Sequence, residues 1–202
     1  MEKMTFNDKL KIMCNIFFKN HKKTLLEYEL VFIENKLKIT IPEPLREFYL
    51  MFGKDLDLLK CMYNIASPKE LNVENNVLMI AKEYQNVCGY GINLDTQKPI
   101  YFDDSNNIIR IINLDIEDFL IYLLAVQSTQ YLNCIGTIEV SFMNELKKYL
   151  VRITKAEGEN AVFCSSNRII AVVVKNNIFI SAQNDESMEN FENQSGLDID
   201  FL

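Results

Sequence analysis

Asp103 and Asp104 stand side by side in IYFDDSNNII, and paired carboxylates are the usual couple of glycoside-hydrolysing sites. On a strand, neighbours face opposite ways; in a turn, aspartates cap or solvate the backbone. Asp115, Glu117 and Asp118 fall in the first turn of an expected helix, where negative charge is favoured by the helix dipole. The one histidine, His21, lies beside Lys22 and Lys23 in a polar stretch, a solvated setting that argues against histidine-based catalysis. The five cysteines, at 14, 61, 88, 134 and 164, are widely spaced and form no C-x-x-C. They indicate neither a zinc site nor a disulfide framework, and read as reduced, buried thiols of a cytoplasmic protein. Gly89-Tyr90-Gly91 is half of a dinucleotide fingerprint without its third glycine or strand-to-helix setting. A strand with a bulge or a close backbone approach explains it better. No P-loop and no G-x-S-x-G elbow occurs. No set of residues meets the nucleophile–base–stabiliser arrangement. No catalytic residue, metal ligand or cofactor is therefore expected, and an enzyme of unknown class is the most distant reading.

A binding role fits the middle of the chain better. Glu83, Asp95, Asp103 and Asp104 accompany Tyr84, Tyr90 and Tyr101, and tyrosines within a charged ring have the composition of an interface hot spot. Half-buried sheet tyrosines would give the same pattern. Charge is unevenly placed along this chain of net charge −7. Residues 1–60 carry 11 basic and 9 acidic groups, residues 61–128 carry 4 and 9, and residues 129–202 carry 6 and 10. The acidic two-thirds argues against nucleic acid, which needs a lysine or arginine footprint. It suits a partner with a basic surface.

The elements that must position these residues are legible in the apolar spacing. In LKITIPEPLREFYLMFG, Ile41-Pro42 is expected to be extended and Pro44 to enter a helix in its first turn. Leu45, Phe48, Tyr49 and Phe52 then form one apolar face, and Gly53 is the expected stop. Leu26, Leu30, Ile33 and Leu37 mark a preceding helix, and Phe6, Leu10, Met13 and Phe17 another. Strands are expected at Val77–Ala81, Val87–Leu94, Ile100–Phe102 and Ile108–Ile112, with a turn at Asn106-Asn107. A helix capped by Asp115 follows, with Ile116, Phe119, Leu120, Leu123 and Leu124 on one face. Phe142 to Leu150 reads as a helix capped by Ser141. Strands at Ala161–Cys164, Ile169–Val174 and Ile178–Ala182 come next, the last two joined through Asn176-Asn177. IIAVVV is apolar on both faces and should be covered on both. A helix capped by Asp185 would carry Met188 and Phe191. Lys9, Lys11 and Asn15 interrupt any signal-peptide core. The uncharged run Phe119–Ile138 turns polar after Val126, too early for a membrane span.

The order of these pieces resembles the SUKH superfamily: a helix, the Ile41-Pro42 step, the short helix bearing Phe48-Tyr49, the Cys88-Gly89-Tyr90-Gly91 strand, an acidic turn at Asp103-Asp104 and a closing helix. Tryptophan, common in that family's glycine strand, is absent here. The resemblance covers residues 22–128, with a weaker echo to the C-terminus. It implies an α+β fold with N-terminal helices packed on a mixed or mainly antiparallel sheet. The expectation is one domain over 1–202, with residues 129–202 as a helix–strand extension docked on the same body and sheet. The superfamily includes bacterial immunity proteins and fungal cell-wall-synthesis regulators. The expected function is non-enzymatic: a cytoplasmic immunity protein neutralising a cognate toxin such as a nuclease. A scaffold or regulatory adaptor is the alternative.

Overall fold

The computed structural model describes residues 4–18, 24–85, 87–103, 108–165 and 168–202. His21, Asp104 and the Asn106-Asn107 turn lie outside the described residues. The fold is α+β, with seven α-helices and two six-stranded antiparallel sheets among the described residues. The helices are α1 (Phe6–Phe17), α2 (Glu27–Leu37), α3 (Glu43–Phe52), α4 (Leu56–Leu59), α5 (Ile116–Tyr131), α6 (Met143–Tyr149) and α7 (Asp185–Ser195). The first sheet contains β1 (Asn64–Ile65), β2 (Asn72–Glu74), β3 (Val77–Lys82), β4 (Cys88–Asn93), β5 (Lys98–Asp103) and β6 (Ile108–Ile111). The second contains β7 (Cys134–Glu139), β8 (Val151–Arg152), β9 (Val162–Cys164), β10 (Ile169–Val174), β11 (Asn177–Ala182) and β12 (Asp200–Phe201). The chain forms two compact units, one of Lys22–Leu120 and one of Met1–His21 with Ile121–Leu202.

In the unit Lys22–Leu120 the first sheet runs β1-β3-β4-β5-β6, with β2 also on β3. Pro44 sits in the first turn of α3, and Leu45, Phe48, Tyr49 and Phe52 are fully buried. The Tyr49 hydroxyl donates to the Ala66 carbonyl at 2.8 Å, which satisfies the polar tip of an otherwise apolar anchor. Arg46 ties α3 to α2 by donating to Glu27 and Glu34 at 2.6 and 2.7 Å. Gly53 follows the last residue of α3 and is its stop, as expected. It keeps right-handed angles, its N–H donating to Tyr49 O at 2.8 Å, and the chain passes directly to α4, which Asp55 caps. Left-handed caps close α2, at Lys38 with φ 57°, and α7, at Gly196 with φ 66°.

The second unit closes on α1 and the sheet β12-β7-β11-β10-β9-β8. Phe6, Leu10, Met13, Ile16 and Phe17 of α1 are buried. Thr5 starts that helix with a capping box closed by Asp8. Phe17 meets Tyr131 edge-on at 5.6 Å, and Gln183 Nε2 donates to the Ile16 carbonyl at 2.6 Å. Both faces of β10 are buried, as its pattern requires: Ile169, Ala171 and Val173 on one, Ile170 and Val172 on the other. Its turn to β11 is Lys175-Asn176, one residue earlier than expected, because Lys175 takes the positive φ, 55°.

Three expectations are corrected here. The strands after residue 133 do not join the first sheet; β7, unforeseen, pairs with β11 along its whole length and completes a sheet of their own. Ser141 lies in a 3-10 turn, Val140–Phe142, with its hydroxyl on Glu139, and so does not cap α6. Asn184 caps α7 by accepting from Ser187 N–H at 2.9 Å, leaving Asp185 in the first turn.

Candidate partner-binding face

The Gly89-Tyr90-Gly91 strand owes its two glycines to both causes weighed from the sequence. A β-bulge interrupts β3 between Met79 and Ala81, opposite Gly91 and Tyr90. A Cβ at Gly89 would lie 2.2 Å from the Ala81 carbonyl oxygen, and one at Gly91 would lie 2.4 Å from Val77 Cγ1. On its other side β4 pairs with β5, which sets Cys88 opposite Asp103 and Tyr90 opposite Tyr101. Opposed residues share a face, so Cys88, Tyr90, Tyr101 and Asp103 project on one side of the sheet.

Tyr90 is half-buried among rings. Tyr101 lies 5.7 Å away, Tyr63 meets it edge-on at 5.3 Å with the two hydroxyls 3.3 Å apart, and Phe119 of α5 lies at 5.7 Å. For this residue the half-buried sheet tyrosine is the better description. At the open end of the hairpin, Glu83 exchanges two bonds with Cys88. Its N–H donates to the Cys88 carbonyl at 3.0 Å, and its Oε1 accepts from the Cys88 N–H at 3.2 Å. Tyr101 hydrogen-bonds the Cys88 side chain, and this bond and burial push its phenol up to about 12. Burial raises the Cys88 thiol, and the carboxylates of Glu83 and Asp103 raise it further against the opposing Tyr101 bond.

Tyr84 differs from the other tyrosines. Its ring is 64% exposed, yet its hydroxyl donates to the carbonyls of Lys60 and Cys61, each at 2.5 Å. A side chain that is both exposed and held loses little rotamer freedom on contact. Glu83, Tyr101 and Asp103 meet around Cys88 at one end of the hairpin, and Tyr84 follows Glu83 in the chain with its hydroxyl on the segment before β1. Asp95 is not among them. It sits in the turn after β4, its N–H on Asn93 Oδ1 at 3.1 Å. That places it a full strand away from Cys88, about 17 Å at the usual rise per residue. Asp104 lies outside the described residues.

Two residues of this face are not among the sequence-derived binding candidates. In the sequence Cys88 stands out only as a thiol and as the start of the glycine strand; Tyr63 carries no signal, because it immediately precedes β1, which is only two residues long. Chemically the cluster has acceptors and a rigid aromatic, but no activated nucleophile. A thiol whose pKa is raised supplies little thiolate at neutral pH. Among the described residues no group of three or more histidine, cysteine or acidic side chains converges to hold a metal ion, and no helix is long and apolar enough to cross a membrane. Comparisons with protein-family models, curated proteins and solved structures return no match to this chain.

Proposed function

We propose that the chain is a non-enzymatic binding domain that receives a basic protein partner on Glu83, Tyr84, Tyr101 and Asp103. The observation that carries this reading is Tyr84: an exposed ring fixed through its hydroxyl, beside carboxylates at the open end of the β4–β5 hairpin. Aromatic anchors inside a charged rim are the usual source of interface energy. Carboxylates around such an anchor speed the encounter with a basic surface. Together with the resemblance to the SUKH superfamily, this favours an immunity protein of the cytoplasm that covers the basic cleft of a toxin such as a nuclease.

The test begins with the neighbouring genes: a toxin domain encoded immediately upstream supplies the partner. Cells co-expressing that toxin and this chain should survive. The Asp103→Lys, Asp104→Lys double variant should lose protection, while Asp198→Lys, Asp200→Lys should keep it. Association should slow as salt rises. Full protection by the first variant with unchanged salt dependence would remove the acidic-face mechanism. Failure of the unaltered chain to bind or protect would remove the immunity reading.

A further inference from the structure

The unit Lys22–Leu120 carries a second, oppositely charged surface. A groove of about 630 Å³ runs between α2 and the segments at Gly53–Leu56 and Ser67–Lys69. Its size is within the range of well-formed ligand clefts. Tyr28 and Phe32, one turn apart on α2, are 69% and 68% exposed, and Leu56 facing the groove is 56% exposed. Residues four apart on a helix share a face, so the two rings form one apolar ridge. Leu25, Ile33 and Pro68 line the groove beneath and are buried.

Lys36, Lys54 and Lys69 surround this apolar surface, against a single carboxylate, Glu29. Glu29 is already committed, accepting from Lys54 at 2.9 Å and from the Leu26 N–H at 3.0 Å. Lys36 and Lys69 make no ion pair among the described residues. A chain of net charge −7 thus presents an apolar groove with a net positive rim.

We propose that this groove binds an amphipathic helical segment of a partner protein, apolar on one face and acidic on its flanks. Anchors spaced by one turn on α2 match the side-chain spacing of a helix laid into the groove. The uncommitted lysines supply the complement to acidic flanks. The groove is concave, which suits an inserted segment better than a flat lipid surface. This site is separate from the acidic face and does not depend on the immunity reading. Occupied together, the two surfaces would let the chain bridge a basic and an acidic partner.

The test is selection of a displayed library of random peptides against the intact chain. Enriched sequences should carry apolar residues at helical spacing with flanking Asp or Glu. Their binding should fall about tenfold or more, the cost of losing one anchor, in Phe32→Ser, in Tyr28→Ser, and in the Lys36→Glu, Lys69→Glu pair. All four side chains are exposed, so folding is retained, and an unchanged thermal midpoint verifies this. Overturning results are no enrichment, neutral or basic winners, or winners indifferent to Phe32→Ser and Tyr28→Ser. Vesicles containing phosphatidylserine that bind the chain through Phe32, without peptide enrichment, would reassign the groove to a membrane. Self-association lost in Phe32→Ser would reassign it to a second copy.

Discussion

Gly89 of β4 lies opposite Phe102 of β5, and a Cβ on the glycine would come within 2.7 Å of the ring's Cζ and 2.2 Å of the Ala81 carbonyl oxygen. The ring end can swing aside, but the carbonyl belongs to the paired strand and cannot. Gly89→Ala is therefore expected to destabilise the protein by about 1–3 kcal/mol, the usual cost of overpacking. Gly91→Ala should cost less, since its closest obstacle, at 2.4 Å, is a methyl of Val77. Urea unfolding of the two variants gives the comparison directly.

Tyr84 and Tyr90 should separate binding from stability. Tyr84→Ala removes an exposed ring and its hydroxyl contact with Lys60 and Cys61, and should lower stability by only about 1 kcal/mol, while weakening partner binding by roughly 1–3 kcal/mol. Tyr90→Ala empties a place among Tyr63, Tyr101 and Phe119. It should cost roughly 3 kcal/mol of stability. Calorimetry and binding kinetics on the same samples distinguish the two roles.

At the start of α7, Asn184→Ala should cost about 1 kcal/mol and Asp185→Ala only a few tenths, because the Asn184 side chain accepts the Ser187 N–H. Equal losses in thermal unfolding would place the cap at Asp185 instead.

Arg46 has a side chain 15% exposed and faces Glu34, 14% exposed, at 2.7 Å. Arg46→Ala leaves that carboxylate, among the described residues, with the Ile41 N–H at 2.9 Å as its remaining donor. A loss of roughly 2–3 kcal/mol is expected, below the 3–5 typical of fully buried pairs. Arg46→Ala combined with Glu34→Gln should recover part of it, as read from chemical denaturation.

Burial pushes the Cys164 thiol from 9.0 up to about 12, and the Cys134 thiol from 9.0 up to about 11, the latter with help from Asp185. The fold holds both in the protonated form. Their contribution to stability is whole below pH 9.0 and disappears as pH rises toward 11 and then 12. Urea midpoints should fall on the alkaline side of pH 9.0, and Cys164→Ala should flatten that fall. The same thiols should react slowly with a disulfide reagent at neutral pH and readily after denaturation.

Much of the architecture was legible where periodicity ran long. The buried face of α3 and the twofold burial of β10 follow from side-chain spacing alone. β7 was not legible, although Cys134, Gly136 and Ile138 alternate with more exposed Ile135 and Thr137. Its alternation hid inside a long uncharged run whose first half is α5. Helix ends were harder still. Asn184 and Asp185 have similar capping chemistry, and only backbone angles decide between them. Of the candidate binding residues, the tyrosines could be named, but their division into Tyr90 within the rings and Tyr84 outside depends on Tyr63 and on the Lys60 and Cys61 carbonyls. Such contacts join segments distant in sequence and leave no local pattern.

The second unit has a history in time as well as a place in the fold. Its α1 is made before the residues it joins, such as Tyr131 and Gln183, which follow an intervening stretch of roughly 100 residues. At about 5–20 residues per second of synthesis, α1 waits on the order of 5–20 s before the partners that bury Leu10, Met13 and Phe17 are made. The unit Lys22–Leu120, being continuous, can finish during that interval. A nascent chain that has emerged through Leu120 but not yet through Gln183 would then hold a folded unit and an α1 whose apolar face is uncovered, the state in which a chaperone that binds exposed apolar helices has most to hold.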